Sequence, residues 1–289
     1  MRPCYRVEII TPKKVLLNGL WFGPKKPANV ILFIHGLTGS AFSMHGMVDA
    51  LVGTQDSVVV FNNRGFEQIS EVTKAAGKKH TYLPAGAGHE VFTECVDDIQ
   101  GAINLAKKRG VRNIYLAGHS TGCQKALYWA SKRNDKRVKG IILLGPLSDY
   151  AGAVAEDKKG ILPQSVAYAQ ALVRAGKSHE LMSKELGPWF VCDAQRFLSL
   201  YTPDSSEEIF SYAQPKKDPK ILKSVRVPTL VLLAGEDEHA DRPAEELKNW
   251  FDMNLKTKHQ ITVVPKVTHS FRGGEKQVKL AIKAFMKEN

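Results

Sequence analysis

Four cysteines in 289 residues, Cys4, Cys95, Cys123 and Cys192, are too few and too scattered for a disulfide framework. With no C-x-x-C pair among them they suggest no zinc site either, and they read as free thiols. No stretch reaches the roughly 18 uninterrupted apolar residues that span a bilayer. The opening MRPCYRVEIITPKK lacks the apolar core of a secretory signal. A cytoplasmic chain without stable membrane insertion is the expectation. Flexible linkers, low-complexity runs and fixed-period repeats are also missing, so nothing divides the chain into separate domains. With 43% of residues apolar, it can bury one large core carrying an inserted subdomain.

Acid is in short supply: 29 Asp and Glu face 41 Lys and Arg, a formal charge of +12. That excess raises the question of nucleic acid or anionic lipid. Its distribution argues against both. Lys25-Lys26, Lys78-Lys79, Lys107-Lys108-Arg109, Lys132-Arg133 and Lys216-Lys217 fall mostly at predicted helix ends and loops, without interleaved aromatics. Lysine near helix C-termini is favoured by the helix dipole, so a solvated surface explains it and no nucleic-acid partner is expected.

What is present is a strand and helix rhythm. Val7 to Ile10 and Val15 to Phe22 look like an antiparallel opening pair. Val30 to Ile34 is a continuous apolar run of the kind buried on both sheet faces, and the signature returns at Val58 to Phe61, Ile114 to Ala117, Ile141 to Leu144, Leu230 to Ala234 and Ile261 to Val264. Helical spacing marks Phe42 to Val52, Val91 to Arg109, Cys123 to Lys132, Ala244 to Phe251 and Lys276 to Lys287. Alternation of this kind predicts an α/β fold with a mostly parallel, doubly wound sheet of about eight strands and helices on both faces. One interval lacks buried strands. Residues 148–225 hold helix-like pieces near Val166 to Val173, Ser178 to Leu186 and Asp193 to Ser199, broken by Pro163, Pro188, Pro203, Pro215 and Pro219. Too long for an ordinary connection, it reads as a helical cap inserted into a core made of residues 1–147 and 226–289. Val72 to Gly88 reads as a long loop near the pocket mouth.

Gly118-His119-Ser120-Thr121-Gly122 fits G-x-S-x-G, with a predicted strand running into it and a helix following. A nucleophile on so sharp a turn needs glycine two residues to either side, because a Cβ there would meet the adjoining backbone. Serine needs an oriented imidazole as base. Of nine histidines, His269 lies after the last predicted strand, where the order serine, acid, histidine requires the base. The others read as structural, although His89 and His179 reach the pocket if their loops fold over it. The imidazole needs a carboxylate. Leu232 to Asp241 offers four acids at the next strand end, of which Asp237 is preferred, Glu238 is the nearest rival and Asp149 a further alternative. Two backbone N–H groups must hold the oxyanion, and Thr121 and Leu37 are placed to supply them. The loop His35-Gly36-Leu37-Thr38-Gly39 is no nucleotide cradle, since neither G-x-G-x-x-G nor a P-loop lysine is present.

His35-Gly36 and its loop, Asn63-Arg64-Gly65, the Gly118 to Gly122 turn, Gly235-Glu236-Asp237 and His269 with Phe271 together resemble the α/β-hydrolase superfamily over essentially the whole chain. The insert after Leu144 resembles the cap of monoacylglycerol lipases and related esterases, and Gly118 to Gln124 is similar to the elbow of fungal siderophore-ester hydrolases. The resemblance implies a serine esterase with a small-molecule ester substrate, acting through an acyl-enzyme and needing no metal or organic cofactor. Many members place the acid three residues after the glycine, where this chain has Glu238, so both acids stay open. Leu162, Val166, Tyr168, Leu172, Trp189, Phe190, Phe197 and Tyr201 are candidates for the pocket wall or for the cap's own core. An apolar wall would favour medium-chain aliphatic or aryl esters over acetyl esters. The same constellation serves aminopeptidases of the proline-iminopeptidase type and carbon-carbon bond hydrolases; an aminopeptidase needs an acid in the cap, for which Glu156, Asp157, Glu180 and Glu185 are available. A non-catalytic binding module is the remaining alternative. Oligomeric state is not legible.

Overall fold

In the computed structural model, the structure describes residues 3–77, 79–187 and 189–289; Lys78 and Pro188 of the preceding section lie outside the described residues. Among the described residues ten strands form one sheet in the spatial order β10-β9-β8-β7-β3-β4-β2-β5-β6, with β1 on β2. In chain order they are β1 (Cys4–Ile10), β2 (Val15–Phe22), β3 (Asn29–Ile34), β4 (Asp56–Phe61), β5 (Ser70–Ala76), β6 (Lys79–Ala85), β7 (Asn113–His119), β8 (Val138–Leu144), β9 (Thr229–Ala234) and β10 (His259–Val264). The six strands β4, β3, β7, β8, β9 and β10 pair in parallel; β1, β2, β5 and β6 add the antiparallel part. The two strands beyond the expected eight are β5 and β6. They make a hairpin from Ser70↔Ala85 to Ala76↔Lys79 at the sheet edge, so the long-loop reading of Val72 to Gly88 is corrected. This hairpin is held by backbone pairing more than by burial: most of β6 is exposed and carries no alternating apolar signal.

Side chains of the parallel strands alternate between two cores, as a pleat of period 2 requires. On β3, Val30, Leu32 and Ile34 join one cluster while Ile31 and Phe33 join the other. The first cluster is covered by α2 (Cys95–Lys108), α3 (Thr121–Lys132), α7 (Lys220–Ser224) and α8 (Ala244–Asn254); the second by α1 (His45–Leu51) and α9 (Glu275–Glu288). In α9, Val278, Ile282 and Phe285 repeat at the i, i+4, i+7 spacing that lays one helix face on a sheet. Among the described residues no helix is long and apolar enough to cross a membrane.

Between β8 and β9 the chain forms α4 (Asp149–Glu156), α5 (Leu162–Arg174), α6 (Ala194–Tyr201) and α7. Ser148 caps α4 by accepting the Ala151 N–H, and Asp193 caps α6 by accepting the Arg196 N–H. The helix expected over Ser178 to Leu186 does not form. There the backbone makes turns and an isolated bridge, Leu181 against Asp193, with the Met182 N–H donating to Cys192 O at 2.9 Å. A separate apolar cluster runs from Ala153 to Tyr201, whereas Ile209, Phe210, Tyr212, Leu222 and Val225 pack into the core under the sheet.

A buried ion chain fastens the two layers. Lys125 Nζ on α3 lies 2.6 Å from Glu90 Oε1, and Arg196 on α6 meets the other Glu90 oxygen at 3.2 Å before pairing in two-pronged fashion with Glu207. Gly65 leaves the room this needs: a Cβ there would lie 2.4 Å from the Glu90 carboxyl carbon. Its neighbour Arg64 reaches Glu94, Asp97 and Asp98 around the start of α2.

Candidate active site

Strand β7 ends in the turn that carries Ser120, whose backbone stands at φ 54°, ψ −127°. Such a conformation is strained for any residue with a Cβ and persists because its surroundings fix it. A Cβ on Gly118 would lie 2.2 Å from Gly122 O, and one on Gly122 would lie 2.3 Å from Ile34 O. Both glycines of G-x-S-x-G are therefore enforced by close backbone approach. Gly36 is under the same constraint, since its Cβ would come within 2.8 Å of the Ser120 Cβ.

Ser120 opens into a cavity of about 600 Å³ whose wall includes His269, Leu37 and Thr121. The serine and histidine expected to act as nucleophile and base and both residues expected to hold the oxyanion thus share one space. His269 Nδ1 lies 2.8 Å from Asp237 Oδ2, and the second oxygen of Asp237 accepts the His239 N–H at 3.0 Å. Glu238 does a different job: its Oε2 accepts the backbone N–H of His269 at 2.7 Å. Asp149 lines the cavity too, but it accepts from Gln124 Nε2 at 3.2 Å, and burial next to Glu207 pushes its carboxyl up to about 7.

Three features had no clear sequence signal. Gly145, at the end of β8, has φ +61°, and a Cβ there would stand 3.0 Å from His269 Cε1. His119 and His239, read as structural, both flank the His269 ring, with centroids at 4.9 and 5.0 Å. His119 Nε2–H donates to His269 O at 2.9 Å, while burial and the charge of His269 hold the His119 ring down to about 4. It is a neutral donor that fixes the backbone of its neighbour. The little signal there is lies in position: His119 directly precedes the serine and His239 lies two residues after Asp237.

Of the eight wall candidates, Trp189, Phe190 and Tyr201 line the cavity; Leu162, Val166, Tyr168, Leu172 and Phe197 belong to the cluster of the inserted helices instead. The wall is less apolar than expected, because Thr38, Ser43, Ser148, Asp149 and Glu156 also face it. Trp189 and Phe190 additionally border a second hollow of about 450 Å³ with Gln68 and Val191. His89 and His179 stand elsewhere, together at Asp193.

Solved structures with this architecture include the alpha/beta hydrolase GrgF from Penicillium sp. sh18, with a TM-score of 0.66 and 16% identity over 99% of this chain and 98% of that one. The siderophore hydrolase EstB from Aspergillus fumigatus gives 0.67 and 18% over 98% of both chains. Est1E from Butyrivibrio proteoclasticus with ferulic acid bound gives 0.63 and 19%, again over 98% of both. The fold is that of the α/β-hydrolases. Among curated sequences, a proline iminopeptidase of Clostridioides difficile (strain 630) is 27% identical over 199 residues, 67% of this chain and 59% of the relative's length. Residues 22–287 match a family described as protein of unknown function (DUF1749), and the chain belongs to that family.

Proposed function

We propose that the protein hydrolyses carboxylic esters of small molecules through an acyl-enzyme on Ser120. The observation that carries this reading is one cavity shared by a serine on a strained strand-to-helix turn and a histidine whose Nδ1 lies 2.8 Å from a carboxylate. Ser120 attacks the ester carbonyl while His269 takes its proton and passes it to the leaving alcohol. Asp237 holds the imidazole in the tautomer with its proton on Nδ1 and stabilises the imidazolium. The backbone N–H groups of Leu37 and Thr121 receive the oxyanion. Water then releases the acyl group by the same route. Solved structures of the same fold include Est1E with ferulic acid bound, a siderophore hydrolase and an esterase of Pyrococcus furiosus, which supports an ester as substrate. Aromatic walls at Trp189, Phe190 and Tyr201 suit aryl or medium-chain acyl groups.

Reaction with a fluorophosphonate probe tests the proposal. Wild-type protein is expected to be labelled at Ser120 and to hydrolyse a p-nitrophenyl ester, and Ser120→Ala to do neither. Failure of the folded wild type to label rules out a serine hydrolase.

One observation favours a second reading. Glu156, at the end of α4, lines the cavity, where a carboxylate would hold a free amine, and the curated relative is a proline iminopeptidase. Under this reading the substrate is an aminoacyl amide. Comparing kcat/KM for a prolyl amide with that for an ester separates the two.

A further inference from the structure

Away from the cavity, three segments converge on one atom. His89 follows β6, His179 follows α5, and Asp193 caps α6. His89 Nδ1 and His179 Nδ1 lie 2.9 and 2.8 Å from the same carboxylate oxygen, Asp193 Oδ2, and the three ligand atoms fall within 4.8 Å of one another. The other carboxylate oxygen accepts the Arg196 N–H at 2.8 Å, and the Asp193 N–H donates to Gly88 O at 2.8 Å, so the group is fixed from both sides.

The charge balance at this point is unusual. Asp193 has a fully buried side chain, yet its ion-pair partners among the described residues are the two imidazoles, which carry no charge when neutral. Buried Glu90 and Glu207, by contrast, face the permanent cations Lys125 and Arg196. A buried anion requires a compensating cation or a full set of donors. Two imidazole nitrogens and a carboxylate oxygen are also a ligand set suited to zinc and its neighbours in the first transition row.

We propose that His89, His179 and Asp193 bind a divalent transition-metal ion, zinc being the best match, as a structural clamp between the inserted helices and the sheet layer. Tetrahedral zinc with bonds of about 2.0–2.2 Å holds its ligand atoms about 3.3 Å apart. The two nitrogen–oxygen pairs, at 2.9 and 2.8 Å, need to open by only about half an ångström to admit it, and the two nitrogens already lie within 4.8 Å of each other. Each ring takes the neutral tautomer with its proton on Nε2 and offers the Nδ1 lone pair, while water completes the coordination on the side where His179 is exposed, at 62% of its side-chain surface. None of the three residues lines the cavity of Ser120, so the ion stands outside the chemistry. No spacing motif in the sequence marks the cluster, since its members lie 90 and 14 positions apart along the chain.

The test uses untagged full-length protein, stripped with a chelator and titrated with Zn²⁺ by calorimetry and by thermal unfolding. The wild type is expected to take up one equivalent and to unfold at a higher temperature when loaded. His179→Ala, which removes a mostly exposed side chain, and His89→Ala are each expected to weaken binding by at least the roughly 10- to 100-fold typical of damaged metal sites. His239→Ala, at the catalytic cavity, is expected to bind zinc as the wild type does. Ester hydrolysis by unheated wild type should be the same with and without zinc. The proposal is overturned if stripped wild type takes up no zinc, if both cluster variants bind it undiminished, or if His239→Ala is the variant that loses it. In the first two cases the residues are a hydrogen-bonded clasp alone.

Discussion

Asp237 and Glu238 are neighbours on the turn after β9, and their oxygens reach different atoms of one residue: the ring nitrogen of His269 and its backbone N–H. Their substitutions are therefore expected to differ sharply. Asp237→Asn removes the charge that fixes the tautomer and should lower kcat by about 10⁴-fold. Glu238→Gln keeps an acceptor oxygen and should cost about fivefold, equivalent to roughly 1 kcal/mol. Steady-state kinetics of both variants checks this; equal losses would return the acid's role to both. Spacing from Gly235 alone left the two acids open, because a one-residue difference in a turn is decided by backbone geometry that no apolar pattern encodes. His35 offers a second prediction. Buried under the cavity loop, its ring is held down to about 4 from an ordinary 6.5. A neutral buried ring contributes its stability in full above about 6.5 and loses it as pH falls toward 4, because the unfolded chain binds the proton first. Between pH 7 and 5 this amounts to about 2 kcal/mol. Asp98, Asp149 and Glu208, all pushed up to about 7 chiefly by burial, work in the opposite direction, so the comparison must be with His35→Gln. Urea unfolding should show wild type losing about 2 kcal/mol more than the variant over that interval.

At the scale of elements, the site depends on strand ends that turn sharply. Gly145 closes β8 in the left-handed region with His269 against it. Gly145→Ala is expected to cost about 1–2 kcal/mol in stability from the backbone alone. It should also lower kcat by about 10²-fold through displacement of the ring, with KM little changed. Unchanged kcat would show that His269 does not rest on this turn. The parallel strands were legible because burial on both faces leaves unbroken apolar runs, as in Val30 to Ile34. The β5–β6 hairpin was not, because Lys79, His80, Thr81 and Tyr82 are exposed and their pairing is carried by the backbone. Ser178 to Leu186 misled in the opposite sense: its composition suits a helix, but its backbone is committed to Asp193 and Cys192 by long-range pairing.

At the scale of the whole molecule, Ser120, His269 and Asp237, the proposed nucleophile, base and acid, follow three different strands, and the linear order of the chain was enough to single them out as candidates that meet around one cavity. The wall of the cavity was legible only in part. Of its aromatic residues, Tyr201 stands at the end of α6 while Trp189 and Phe190 lie on the irregular stretch before that helix, and which of them reach the space above Ser120 is set by tertiary packing that no local pattern encodes. The ion chain from Lys125 through Glu90 and Arg196 to Glu207 was invisible for the same reason, since its members are dispersed over 118 positions, from Glu90 to Glu207. Lys125→Met leaves Glu90 with an incomplete set of partners and is expected to destabilise the protein by about 3–5 kcal/mol, measured by chemical denaturation. The double variant Lys125→Met with Glu90→Gln should recover part of that loss.

Trp189 and Phe190 border both the hollow above Ser120 and its neighbour beside Gln68. The partition between those two chambers is therefore only a pair of aromatic rings thick. Shaving either ring would knock them into one longer tunnel, so under the proposed esterase reading the length of acyl tail accommodated can be retuned in evolution at two positions of the wall.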